Sequence, residues 1–236
     1  MKILVGTSGW VYSWNPDGLD WYIENSGLKT VELNMSFYRY PFKNQILGWV
    51  KRSKKCGLRW SIKVHRIISH RYLLSEKTYE YFKRFLDLFK PLDKYIDFYL
   101  IQLPPRFRNK KENVGRLKEF TSYFNLGWRL AVEFRHKSWF NNETVNLANK
   151  YGFTYVSVDS PETIFYGRSG PYIYVRFHGR TFWYAHYYTD DELTYSARKL
   201  LNLGGKAIYA YFNNNHDMLD NARRFRDILL QLLHGN

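Results

Sequence analysis

Residues 130–140 read LAVEFRHKSWF. Leu130, Ala131 and Val132 make a short apolar run that Phe134 continues, the pattern of a buried strand. Into that run the chain sets Glu133. Arg135, His136, Ser138 and Trp139 follow directly. A carboxylate in an apolar run is costly unless it is paired or bound to something. Acid, guanidinium and imidazole within four residues, where a strand runs out, read as the floor of a site. The structural alternative is an internal ion pair of Glu133 with Arg135 or Arg129.

Working outward, the same rhythm recurs. Strands are expected at 2–6, 30–33, 58–64, 96–103, 129–134, 153–158, 172–177 and 207–212. Helices are expected at 19–26, 44–56, 114–124, 142–151, 189–203 and 219–232. A further helix is opened by Ser75 and Thr78, carries Tyr79, Phe82, Phe85, Leu86 and Phe89 at helical spacing, and is ended by Pro91. The segment SPETIFYGRSGP at 160–171 is too short and broken for a full helix. Eight strands alternating with helices predict an α/β fold, a single TIM-like (β/α)8 barrel whose helix after strand six is short or missing. A doubly wound open sheet is the other architecture this alternation allows. No linker, low-complexity run or charge block divides residues 1–236, which read as one domain.

Composition narrows the partners. The 36 Lys and Arg outnumber the 21 Asp and Glu, giving +15. That charge attracts polyanions, or it is the background of a basic proteome. The 21 Tyr, 17 Phe and 8 Trp make the chain unusually aromatic. The single cysteine, Cys56, excludes an internal disulfide and multi-cysteine zinc or iron–sulfur sites. The N-terminus enters a strand without a secretory h-region, and no run of about 18 apolar residues occurs. A cytoplasmic protein with no membrane partner is expected.

In a (β/α)8 barrel the chemistry lies at the carboxyl ends of the strands. Those ends carry Thr7, Ser8 and Trp10; Glu32 and Asn34; Lys63, with His65 and His70 beyond; Gln102; Glu133, Arg135 and His136; Asp159; Arg176 and His178; and Asn213. Lys63, Glu133, Asp159 and His178 lie inside or directly after apolar runs, which points to an enzyme. Two mechanisms fit. In one, Glu32, Glu133, Asp159 and His178 hold a divalent metal, Mn, Zn or Mg, that activates water. In the other there is no metal: Glu133 or Asp159 is the base, His178 or Lys63 the acid, and Arg135 and Arg176 clamp an anion. The turn Gly6-Thr7-Ser8-Gly9 suits either a phosphate cradle or a tight strand exit, and it lacks the Lys-Ser/Thr of a P-loop.

Charge divides by position. Lys51, Arg52, Lys54, Lys55, Arg223, Arg224 and Arg226 fall on outer helices and serve solvation. Arg66, Arg71, Arg106, Arg108, Lys110, Lys111, Lys137, Arg168 and Arg180 fall in loops that follow strands. Trp10, Trp14, Phe37, Tyr38, Tyr40, Phe107, Trp139, Tyr166, Trp183 and Tyr184 share those loops. A basic rim with aromatic platforms suits nucleotides. Otherwise these rings pack a lid.

The chain resembles the DUF72 family (YecE-like proteins) from end to end. The matching motifs are Gly6-Thr7-Ser8-Gly9-Trp10 with Tyr12 and Trp14, VELNMSFYRYP at 31–41, Ser61-Ile62-Lys63 with Ser69-His70, IQLPPRF at 101–107, AVEFRHKSW at 131–139, Val158-Asp159-Ser160-Pro161, YVRFHGR at 174–180, and YFNNN with Asn221-Ala222. The resemblance implies a TIM-like barrel and little about activity. The family has been likened to xylose-isomerase-like sugar isomerases and to metal-dependent DNA-repair endonucleases. The Lys-rich second helix and the short loop after strand six depart from its pattern. The expectation is an enzyme on a phosphate-bearing substrate, foremost nucleic acid, by metal-assisted, endonuclease-like phosphodiester hydrolysis. The rivals are a sugar or sugar-phosphate isomerase acting on a phosphorylated small molecule, and a nucleic-acid-binding barrel without catalysis.

Overall fold

A computed structural model describes residues 1–235. Its strands are β1 (Lys2–Thr7), β2 (Thr30–Leu33), β3 (Arg59–Lys63), β4 (Ile96–Gln102), β5 (Leu130–Glu133), β6 (Thr154–Ser160), β7 (Thr163–Phe165), β8 (Tyr172–Phe177) and β9 (Ala207–Phe212). Its α-helices are α1 (Gly18–Asn25), α2 (Lys43–Cys56), α3 (Tyr79–Phe89), α4 (Lys111–Phe124), α5 (Asn142–Tyr151), α6 (Asp190–Asn202) and α7 (Met218–His234). The hydrogen-bonded strand order is β1-β9-β8-β6-β5-β4-β3-β2, with β7 off this path. Parallel strands alternating with helices in this order make the fold a (β/α)8 TIM-like barrel. Among the described residues no helix is long and apolar enough to cross a membrane.

The chain forms two compact units, one of residues 1–32 with Val156 onward, the other of residues 33–155. In the first, β1 pairs with β9 from Lys2↔Ala207 to Thr7↔Phe212, and β8 pairs with β9 from Tyr172↔Ala207 to Phe177↔Phe212. Asp159 of β6 pairs with Phe177. This register puts Thr7, Phe212, Phe177 and Asp159 at one level, where the strands run out. Phe177 and Phe212 stack at 4.5 Å, and Phe225 of α7 closes over both. Tyr22 of α1 donates from its hydroxyl to Thr30 O at 2.9 Å and accepts from Thr7 N–H at 3.3 Å. Full burial pushes that phenol up to about 12.

In the second unit β3, β4 and β5 pair in parallel, and Thr154 and Tyr155 at the start of β6 pair with β5. Gln102 sits level with Glu133. The aromatic abundance is used here. Phe82 of α3 meets Phe120 at 5.1 Å and Phe124 at 4.7 Å, both on α4. Trp60 of β3 donates from Nε1 to Ser53 Oγ of α2 at 2.8 Å, which satisfies the indole N–H in an otherwise apolar layer.

Helix ends follow local chemistry. Thr189 caps α6, its hydroxyl accepting from the Glu192 amide while Glu192 reaches back to the Thr189 amide. Three features differ from expectation. Residues 160–171 contain β7, which folds back antiparallel on the end of β6. Thr163, Ile164 and Phe165 suit an extended segment, and Ser160-Pro161 supplies the turn. The helix through Phe82 stops at Phe89, and Pro91 lies inside a 3-10 turn, Lys90–Tyr95. Ile67–Arg71 forms a π-helical turn, followed by Leu73 and Leu74 at φ 49° and 60°.

A Cβ on Gly6 would lie 2.3 Å from the Thr30 carbonyl oxygen. Gly6→Ala is therefore expected to destabilise the fold by about 1–3 kcal/mol through forced backbone displacement. Urea denaturation reads this directly, and an unchanged midpoint would contradict the close approach.

Candidate functional site

Three buried carboxylates at strand ends organise the candidate residues. Glu32 accepts from Ser8 Oγ at 2.7 Å, from Arg176 Nη2 at 2.6 Å and from Tyr174 OH at 2.7 Å. Both members of the Glu32–Arg176 pair are fully buried. Asp159 accepts from Arg180 Nε at 3.0 Å and Nη2 at 2.7 Å, from Tyr166 OH at 2.5 Å and from Tyr188 OH at 3.0 Å. Burial, and then the Asp159 charge, pushes the Tyr166 and Tyr188 phenols far up, so both remain donors. Arg180 also carries the 179–189 loop, in which the Gly179 amide bonds Tyr188 OH. Asp159 is thus a brace for that loop. Glu133, the third acid, accepts from Gln102 Nε2 at 3.0 Å and pairs with Arg135 Nε at 2.5 Å.

The sequence suggests Glu32, Glu133, Asp159 and His178 as metal ligands. Each of the three acids holds its own arginine. His178 is buried, with Asn213 Nδ2 at 3.3 Å from its Nδ1, and it packs against Trp183 and Tyr184. Among the described residues no group of three or more His, Cys, Asp or Glu side chains is arranged to hold a metal. Carboxylates already neutralised by guanidinium groups do not fit a divalent cation, and no step below uses one. The same saturation counts against Asp159 as a general base.

The turn at Gly6–Gly9 is a strand exit. The Thr7 amide is directed to Tyr22 OH and the Ser8 amide to Phe212 O at 2.8 Å, so neither faces a phosphate. Trp10 lends its carbonyl to Asn15. Trp139 is fully buried, stacked on Phe134 at 4.4 Å, with its Nε1 donating to Phe107 O at 2.6 Å. It is core rather than a substrate platform. His136 caps the turn Lys137–Trp139 through the Ser138 amide. Burial, then Arg108 and Lys137, lowers its pKa. Asn34 precedes the turn Met35–Phe37, whose Ser36 hydroxyl donates to Lys63 O at 2.6 Å.

The residues that gather into an accessible site lie in the second unit. A depression of about 440 Å³ is lined by His65, Arg66, Ile67, His70, Arg71 and Arg106. The π-helical turn supplies His70 and Arg71. Arg106, from the loop after β4, donates to the His70 carbonyl. Lys63, 7% exposed, holds Nζ 4.5 Å from the centre of the Phe37 ring, which meets His70 edge-on at 4.9 Å. Burial first, then the charges of Lys63, Arg106, Arg135 and Arg66, lowers the His70 pKa to about 4. His65 is lowered by the same two causes, with Arg66 the charge. Both shifts favour the neutral imidazole, and Ser69 Oγ lies 2.9 Å from His70 Nδ1.

The chain belongs to DUF72. Residues 4–234 match this family, described as a protein of unknown function. Protein YunF of Bacillus subtilis is 26% identical, the match covering 87% of this chain and 84% of YunF. A DUF72 family protein of Thermotoga maritima, TM1631, superposes with a TM-score of 0.80 at 25% identity, covering 99% of this chain and 100% of its own. At 12% and 14% identity, SacUVDE and a xylose isomerase domain containing protein of Salmonella typhimurium share the fold alone, each with a TM-score of 0.61 over at least 97% of both chains.

Within this DUF72 chain, sequence position locates the carboxylates and the Glu133–Arg135 pair but not the partners of Glu32 and Asp159. Tyr174 could have been found, because it lies two residues before Arg176 and so on the same strand face. Tyr188 could not, since nothing in its surroundings signals an acid 29 residues earlier. Glu32→Gln leaves Arg176 as an unmatched buried charge. Urea denaturation is expected to register a loss of about 3–5 kcal/mol, largely recovered in Glu32→Gln/Arg176→Met. A single variant as stable as the parent would contradict the pairing.

Proposed function

We propose that this DUF72 protein binds nucleic acid and acts on its phosphodiester backbone at the depression formed by His65, Arg66, His70, Arg71 and Arg106. The observation that carries this reading is that Arg66, Arg71 and Arg106 line one depression with His65 and His70 and no carboxylate shares that lining. Like charges held this close repel one another, and a phosphate-bearing ligand relieves that repulsion. Arg106 and Arg66 bind the phosphate. His70, neutral above about pH 4, accepts a proton from the water whose oxygen bonds to phosphorus, while the P–O bond to the departing ester oxygen breaks and that oxygen takes a proton from solvent. Glu133, with Gln102, keeps Arg135 in position. Lys63 offers charge to the oxygen that becomes negative in the transition state. A cytoplasmic setting, where nucleic acid is met, goes with this reading.

The test is fluorescence anisotropy with a labelled oligonucleotide over a salt series in the presence of EDTA. Affinity is expected to fall steeply with salt. Arg66→Gln and Arg106→Gln should each flatten the slope of log K against log salt by about 0.7–0.9, one phosphate contact. A slope near zero with parent and variants alike would overturn the assignment. Saturable, salt-insensitive binding of a sugar phosphate in its place would favour an isomerase-like barrel.

A further inference from the structure

We infer that the nucleic acid recognised at this depression is single-stranded, its unpaired bases stacking on the Tyr38 and Tyr40 rings that border it. The inference rests on the phosphate-binding reading above and adds to it which strand form is bound.

The segment 38–42 reads YRYPF, with an aromatic ring at every second position. All three rings reach solvent: Tyr38 is 64% exposed, Tyr40 41% and Phe42 74%. Tyr40 also leans on the buried Phe85 ring at 6.0 Å, while several open rings together mark a binding surface. Two are tied to the depression itself. Tyr40 stacks on His65 at 4.8 Å and 29° between planes. Tyr38 packs edge-on to Phe37 at 5.0 Å, and Phe37 packs edge-on to His70 at 4.9 Å. His65 and His70 line the cationic depression. Tyr40 therefore adjoins the phosphate site directly, and Tyr38 flanks it across the buried Phe37 ring. Ser36 fixes its start by donating to Lys63 O, and α2 begins at Lys43, directly after it.

A duplex cannot use such a ledge. Its base faces are stacked on one another, and only base edges reach the grooves. An unpaired strand offers an open face at each nucleotide, while its backbone supplies charge to Arg66, Arg71 and Arg106. Neutral His65 and His70 suit the same task, since an uncharged imidazole backs an aromatic ring without adding a further cation.

The experiment compares a labelled single strand of about 12 nucleotides, the same sequence as a blunt duplex, and an abasic strand of equal backbone charge. The full-length protein is used, with Tyr40→Leu, Tyr40→Phe and Tyr38→Leu. The single strand is expected to bind at least about ten-fold more tightly than the duplex or the abasic strand. Tyr40→Leu should lose about ten-fold for the single strand, Tyr40→Phe should keep it, and the duplex should be indifferent to both. Tyr38, being largely exposed, gives a second test should Tyr40→Leu fold poorly, and its loss is expected in the same direction. Equal binding of all three probes, or no response to either leucine variant, would overturn the single-strand inference while leaving the cationic site in place. Failure of every probe to bind would overturn both.

Discussion

A buried carboxylate must meet its counter-charge where it lies, and this requirement orders the strand ends. Glu32 takes Arg176, Asp159 takes Arg180 and Glu133 takes Arg135. Each pairing also fixes a piece of backbone. Arg180 and Tyr188 hold the 179–189 loop to Asp159, and Ser8 ties the exit of β1 to Glu32. The acids are thereby withdrawn from chemistry that would need them open. The depression around His70 follows a different rule. The residues that line it are cationic, imidazole or apolar, so its excess charge is directed toward a ligand.

The backbone beneath that depression is itself unusual. A π-helical turn carries Ser69, His70 and Arg71, and two consecutive leucines follow in the left-handed region. Leucine pays for that conformation with a Cβ clash that glycine avoids. The segment keeps it because Ile68 and Leu74 are buried and the Leu74 amide bonds Ile68 O at 3.2 Å. Single π-turns and strained residues cluster where side chains must be aimed at a ligand. Here they turn His70 and Arg71 into the depression.

The sequence disclosed the architecture well, for identifiable reasons. The runs of β2, β8 and β9 are bounded by polar residues or by Pro171, so their limits at 30–33, 172–177 and 207–212 match the structure. The three-residue β7 and the π-helical turn escaped, because neither is long enough to impose a period. Its place after β5 suggests a rim aromatic at Trp139, yet the 3-10 turn Lys137–Trp139 folds it back onto Phe134. The pair Glu133–Arg135 was legible at two-residue spacing. The partners of Glu32 and Asp159 were not, since register across strands and loops decides them. Hence a quartet of plausible metal ligands in the sequence became three separate ion pairs and a packed histidine in the fold.

The most direct measurement is the titration of the His70 imidazole by NMR, with and without a single-stranded oligonucleotide. Surrounding cations disfavour the imidazolium and so lower its pKa; a bound phosphate offsets them and must raise it. The account predicts a value near 4 in the free protein that moves upward as the oligonucleotide binds. A free imidazole titrating at the ordinary 6.5, or one unmoved by a saturating oligonucleotide, would contradict it.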